Sequence, residues 1–165
     1  MGASDFSKLP HIGEPLRRKE DYRFLTGAGQ YTDDVVLAAQ SFAVFVRSPH
    51  AHAKVLKVDT TAAAAAPGVL GVFTGADVAA DNINGLPCGW LITSTDGQPM
   101  KEPPHPILAQ GKVRYVGDAV AMVVAQTLQQ ARDAAERVEV DYDVLPAVVN
   151  VADAAAGKVA GAGLH

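Results

Sequence analysis

Two short runs constrain this chain more than any other feature. Phe42-Ala43-Val44-Phe45-Val46 and Val120-Ala121-Met122-Val123-Val124 are apolar at odd and even positions alike. Successive side chains of a strand point to opposite faces. A strand that is apolar at both parities therefore asks for cover on both faces. The chain must supply that cover itself or find it on a neighbour.

Around these runs the pattern alternates strand and helix. The first run predicts a strand over Phe42–Arg47, and Ser48-Pro49 ends it, because proline lacks the amide donor and pushes its predecessor to extended geometry. A second strand is predicted near Lys54–Val58, with Leu56 and Val58 on one face and Lys57 and Asp59 on the other. Asp59-Thr60-Thr61 offers capping oxygens before five alanines, and Pro67-Gly68 stops that helix, which fits a crossover into a strand at Val69–Phe73. Thr74–Val78 reads as a turn with a brief helical start. Order returns at Lys112–Tyr115 and Ala119–Ala125. Thr127 with Gln130 forms a capping box, with Leu128, Ala131, Ala135 and Val138 near helical spacing. The last strand alternates, with Val138, Val140, Tyr142 and Val144 inward and Glu139, Asp141 and Asp143 outward. These elements predict an α+β domain: one mixed sheet of four to six strands, with about two helices packed on it.

Three segments fall outside that frame. Residues 1–34 read as an arm, with Gly27, Gly29 and Asp33-Asp34 as turn material and too few apolar groups for a core of its own. Residues 35–150 hold the domain. Within it, 80–112 is a long irregular loop rich in proline, and it contains Trp90, the sole tryptophan. A loop of this length in a compact domain is usually functional or mobile, and we expect it to pack on a partner surface. Residues 151–165 read as a frayed helix and a linker toward a further, cofactor-binding region.

Few residues offer chemistry. His50 and His52 form a His-x-His pair that would point one way on a strand, but a metal needs a third and often a fourth ligand. The pair reads instead as a turn histidine and a partly buried one bonded to backbone. Arg47, placed after a buried strand, calls for a carboxylate or several carbonyls. Gly117 suggests a bulge or a close backbone approach. Gly27-Ala28-Gly29 lacks the strand and helix of a dinucleotide fingerprint. Cys88 has no His, Lys or Arg close in sequence to lower its pKa. We assign no catalytic, cofactor-binding or metal residue. Arg47, Pro49, His50, His52, Gly117 and Trp90 are structural or interface candidates.

Bulk properties exclude other classes. With 165 residues and 48% hydrophobic content there is room for one ordinary core. The net charge of −4 includes no basic stripe, which argues against nucleic acid. One cysteine permits no internal disulfide framework and no multi-cysteine cluster site. No run reaches the length of a membrane span, and no secretory signal opens the chain; the expected setting is the cytoplasm.

Four phrases in fixed order carry a resemblance: Arg47-Ser48-Pro49-His50-Ala51-His52-Ala53, the stretch from Pro67 to Val78, the stretch from Val113 to Ala121, and the stretch from Val140 to Val148. Gly13–Asp21 and Leu25–Asp34 fit it too. Together they resemble the N-terminal α/β-hammerhead domain of the molybdenum-binding large subunit of the xanthine dehydrogenase, aldehyde oxidase and carbon monoxide dehydrogenase family, over about Ile12 to Ala156. Ala119 departs from the family, which usually has proline there. The resemblance implies a hammerhead fold and a structural role in a molybdopterin-dependent hydroxylase. That enzyme would carry molybdopterin (cytosine dinucleotide form) elsewhere in its large subunit, with [2Fe–2S] clusters and FAD on partner domains or subunits, in a dimer of the full complex. Its catalytic glutamate, substrate pocket and any copper beside molybdenum would come from the region after this domain. This chain would bind no cofactor alone. The alternative is a free-standing scaffold with the hammerhead fold and no molybdenum.

Overall fold

The computed structural model describes residues 17–157. The chain divides into two compact units, Met1–Ala38 and Ala39–His165. In the first, α1 (Asp21–Leu25) is a short helix whose start is fixed by Asp21 accepting from the Arg18 amide and side chain. A 3-10 turn spans Thr32–Asp34, and the Tyr31 ring stacks on Phe24 at 5.2 Å. Neither element buries a residue.

The second unit begins with β1 (Phe42–Arg47) and β2 (Ala53–Asp59). Next come α2 (Thr61–Ala64), β3 (Val69–Thr74) and α3 (Gly75–Ala80). After the long loop come β4 (Lys112–Val113), β5 (Ala119–Ala125), α4 (Leu128–Ala135), β6 (Glu139–Val144) and α5 (Val151–Ala155). The predicted spans of β1 and β5 match the observed ones.

The strands do not share one mixed sheet. They divide into two three-stranded sheets, ordered β1-β5-β3 and β4-β2-β6, and every pairing is antiparallel. The α2 helix is thus no crossover within a sheet, since β2 and β3 lie in different sheets. Periodicity identified each strand but held no information about its partner.

Each sheet has a core of its own. Under β4-β2-β6, Ala53, Ala109, Val113 and Val120 are buried, with Val55, Val58, Val140 and Tyr142 packed against them. Over the other sheet, α2 and α4 cover one face, where Ala66, Val123 and Ala134 close on Val69, Val72 and Val138. The inner face of α4 is Ala131 and Ala134, a pair of small residues that lets the helix lie close to the strands. Half of the expected capping box forms: the Thr127 hydroxyl accepts from the Gln130 amide at 3.2 Å, while the Gln130 side chain accepts from that hydroxyl rather than from the Thr127 amide. Ala135 packs against that core as predicted, whereas Leu128, predicted on the same face, is 39% exposed.

Three strand expectations are corrected. In β2 the register shifts between Val55 and Lys57, so the inward positions become Val55 and Val58 while Leu56 is 65% exposed. A bulge inserts one residue and reverses the faces beyond it. At the end of β6, Val144 lies outward rather than inward. In β1, burial alternates along the strand instead of covering both faces.

Candidate functional site

Two of the crossings between the sheets lie side by side, and Arg47, Pro49, His50, His52 and Gly117 gather there. Residues 48–52 lead from β1 to β2, and 114–118 lead from β4 to β5. Ser48 is buried between them: its amide donates to the Asp118 carbonyl and its carbonyl accepts from the Gly117 amide, both at 2.8 Å. Two backbone bonds thus extend the β1–β5 ladder past the register shift at Arg47. The Ser48 hydroxyl then closes a turn, accepting from the His50 amide and donating to its carbonyl at 3.0 Å each. Small hydroxyls in such turns satisfy backbone groups that a strand break leaves open.

Arg47 donates from Nη1 to the Gly117 carbonyl at 2.8 Å, and its guanidinium lies 5.6 Å over the Phe45 ring. The arginine takes a carbonyl and an aromatic face. Pro49 is exposed at the turn. Gly117 has φ +92°, a left-handed conformation that side chains disfavour, yet a Cβ there would meet nothing within 4 Å. Of the two roles expected of Gly117, a bulge or a close approach, the open space around a Cβ speaks against the second, and the backbone angle is what requires glycine.

His50 and His52 part company. The His50 ring meets Tyr142 edge-on at 4.9 Å. His52 is 5% exposed, and its Nδ1 lies 2.7 Å from the Pro146 carbonyl. A carbonyl only accepts, so this nitrogen carries the proton. The His52 carbonyl in turn accepts from the Leu145 amide. His52 therefore ties the chain leaving β6 to the start of β2, the backbone-bonded role predicted for it.

Sequence reasoning missed Ser48, Asp118 and the two tyrosines. Asp118 is buried, and its carboxylate accepts from the Arg114 amide at 3.1 Å. Partial burial, the Asp118 charge and a hydrogen bond to Asp118 hold the Tyr115 phenol above its ordinary pKa. Burial also raises Tyr142, against the opposing effect of a hydrogen bond with Ser48. A serine just before the strand-breaking Pro49 and an aspartate directly after Gly117 were the available signals.

The long loop is not structureless. The Met100 amide donates to Ile92, the Ser94 amide to Gln98, and Thr93 bridges Pro99, making a small hairpin. The Cys88 amide donates to the Glu102 carboxylate at 2.8 Å. Leu108 and Ala109 return to the core, with the Ala109 amide on the Ala119 carbonyl at 2.7 Å. Trp90 stands 80% exposed, with Leu86, Leu91 and Ile92 exposed near it in sequence.

Among the described residues no three His, Cys, Asp or Glu side chains gather closely enough to hold a metal ion. No helix of the described residues is long and apolar enough to cross a membrane.

Two antiparallel three-stranded sheets, one of them covered by α2 and α4, with a polar joint where β1–β2 and β4–β5 cross, define an α+β hammerhead domain. Residues 26–146 match the family model for the "aldehyde oxidase and xanthine dehydrogenase, a/b hammerhead domain", and the chain belongs to that family. It is 42% identical over 143 residues to the carbon monoxide dehydrogenase large chain of Afipia carboxidovorans, covering 87% of this chain and 16% of that one. It is 36% identical to the xanthine dehydrogenase molybdenum-binding subunit of Escherichia coli O157:H7, covering 75% and 16%. The crystal structure of quinoline 2-oxidoreductase from Pseudomonas putida 86 superposes with a TM-score of 0.76 at 39% identity, covering 90% of this chain and 18% of that one. The chain thus spans about a sixth of the length of the curated relatives it matches.

Proposed function

We propose that this chain is an assembly domain of a molybdopterin-dependent hydroxylase large subunit, and that it is not catalytic by itself. The observation that carries this reading is the family match over 26–146 in a chain that corresponds to 16% of each of two molybdenum-hydroxylase-like relatives. In this reading Arg47, Pro49, His50, His52 and Gly117 set the angle between the sheets. Trp90 and its loop face another part of the enzyme. Molybdopterin, [2Fe–2S] clusters and FAD sit on that remainder and on iron–sulfur and FAD partners, in a dimeric complex in the cytoplasm.

The test is to purify the protein from its native host with an antibody to this domain and measure molybdenum by mass spectrometry. We expect molybdenum to co-purify in near-stoichiometric amount. The recombinant 165-residue chain should fold yet hold no molybdenum and oxidise no substrate. Metal-free native material, or oxidoreductase activity in the pure chain, refutes the proposal.

A further inference from the structure

Asn84-Gly85 is exposed at the neck of the long loop, beside an open cleft of about 300 Å³ that Glu102 and His105 also border. The amide nitrogen that follows an asparagine can attack the asparagine side chain. The attack needs an unhindered nitrogen, one that is not hydrogen-bonded, and a side-chain carbonyl free to turn toward it. Glycine meets the first need because it has no Cβ. Among the described residues, neither the Gly85 amide nor the Asn84 side chain makes a hydrogen bond. The other asparagines, Asn82 and Asn150, are held. The amide after Asn82 belongs to the β-branched Ile83 and donates to the Val78 carbonyl at 3.1 Å. The Asn150 side-chain oxygen accepts from the Ala152 and Asp153 amides, capping α5, and the β-branched Val151 follows it. At the hairpin tip Asp96 is also followed by a glycine. There the Gly97 amide donates to the Ser94 carbonyl at 3.0 Å, and the Asp96 carboxylate accepts from the Gln98 amide at 3.0 Å. The Gln98 amide and a Ser94 hydrogen bond hold the Asp96 carboxyl below its usual range, and an ionised carboxylate resists attack.

We propose that Asn84 is a self-modification site. Its side-chain amide becomes an acid through a succinimide with Gly85, and the isoaspartyl product loosens the neck of the loop. The Gly85 nitrogen gives its proton to solvent and bonds to the Asn84 Cγ. The Cγ–Nδ2 bond breaks and ammonia leaves. Water then adds to one of the two ring carbonyls, and the Gly85 nitrogen regains a proton as the ring opens. Cleavage at Cγ gives aspartate, and cleavage at the Asn84 backbone carbonyl gives isoaspartate. Nothing is oxidised or reduced, and water is the only co-reactant. Isoaspartate routes the main chain through Cγ, one carbon longer, and adds a negative charge. The neck has no room for that carbon. The Leu86 amide donates to the His105 carbonyl at 2.9 Å, and Gly85 lies so near that carbonyl that an added Cβ would collide with it. Lengthening the chain at position 84 pushes Leu86 off His105 and breaks that bond across the neck. The chemistry needs no partner, so it stands apart from the function proposed above.

The experiment takes freshly synthesised protein from its native host and holds it in heavy-oxygen water at neutral and mildly alkaline pH. Peptides are followed by mass spectrometry, with electron-transfer fragmentation to tell isoaspartate from aspartate. Position 84 should take up solvent oxygen in a first-order course that speeds up with pH, while Asn82 and Asn150 keep their amides. Asp96→Asn places the same chemistry at the hairpin tip, and circular dichroism confirms that the variant folds. Conversion at position 96 should be slower than at 84 by roughly two- to tenfold for each hydrogen bond that must first open. Chromatography then isolates the isoaspartyl fraction, and amide hydrogen exchange is read at Leu86. Exchange there should be roughly two- to tenfold faster than in fresh protein, the weight of one hydrogen bond. Asn84→Asp adds the charge without the extra carbon and should exchange like wild type. An amide that persists at 84, or conversion at 96 as fast as at 84, overturns the proposal. So does Leu86 protection that survives in the isoaspartyl fraction, or protection that is lost in Asn84→Asp.

Discussion

Replacing Gly75 with alanine tests the packing between α3 and the returning end of the long loop. Gly75 is the first residue of α3, and propensity alone favours alanine there by about 0.5–1 kcal/mol. The structure reverses the sign. A Cβ on Gly75 would lie 2.2 Å from the Ala109 carbonyl oxygen and 2.9 Å from its carbon. That is more than 1 Å inside the roughly 3.5 Å at which such contacts relax. The obstructing atoms are backbone, and the Ala109 amide is itself held by the Ala119 carbonyl in β5. Forcing apart packed elements costs about 1–3 kcal/mol, leaving a net loss centred on about 1 kcal/mol and spanning roughly 0–2.5 kcal/mol after the propensity gain. In urea, followed by far-UV circular dichroism, the midpoint should fall by roughly 0.5 M for an m-value near 2 kcal/mol per M. Gly117→Ala is the matched control, since its added Cβ meets nothing and only its φ is at fault. Left-handed strain of about 1–2 kcal/mol is partly offset there by the stiffer unfolded chain. Asparagine tolerates that conformation, so Gly117→Asn should recover stability at 117 while Gly75→Asn does not. A midpoint that rises in Gly75→Ala, or an asparagine that rescues both sites equally, refutes this account.

Three further outcomes are expected. His52→Ala removes the bond to Pro146 and should cost about 1–3 kcal/mol in the same titration. Thr127→Ala removes the α4 cap and should cost about 1 kcal/mol, lowering helical circular dichroism before global unfolding. The Asp77 carboxyl has a lowered folded-state pKa, so it stabilises the fold above the ordinary carboxylate range and loses that effect as pH falls through its folded value. Wild type should therefore exceed Asp77→Asn in stability near pH 7, and the difference should shrink in acid-unfolding curves as pH falls below the ordinary carboxylate range and through the lowered folded value.

Local order was readable where local chemistry sets it. The ends of β1 and β5 follow from apolar runs stopped by Ser48-Pro49 and by Gln126-Thr127. The α4 cap follows from Thr127 and Gln130 three residues apart. What failed depended on partners distant in sequence. The bulge at Val55–Lys57 comes from how β2 meets β6, and it reversed the face assigned to Leu56. The split into two sheets is a choice among strands that all look alike in periodicity. At the joint, Arg47 and Gly117 were singled out separately, but only the fold puts one on the other's carbonyl. The His-x-His spacing held no sign that one ring would turn to Tyr142 and the other to Pro146.

The strand order β1-β5-β3 also bears on how the chain is born. Both outer strands pair only with β5, the central one, which is made last of the three. At about 5–20 residues per second, on the order of 80 residues must leave the ribosome after β1 before its partner exists. For those seconds Phe42–Val46 emerges with no strand to meet and apolar side chains on both sides. The stretch most in need of company is the one synthesised longest without it, so the nascent chain should be a better client for a ribosome-bound holdase than the finished domain.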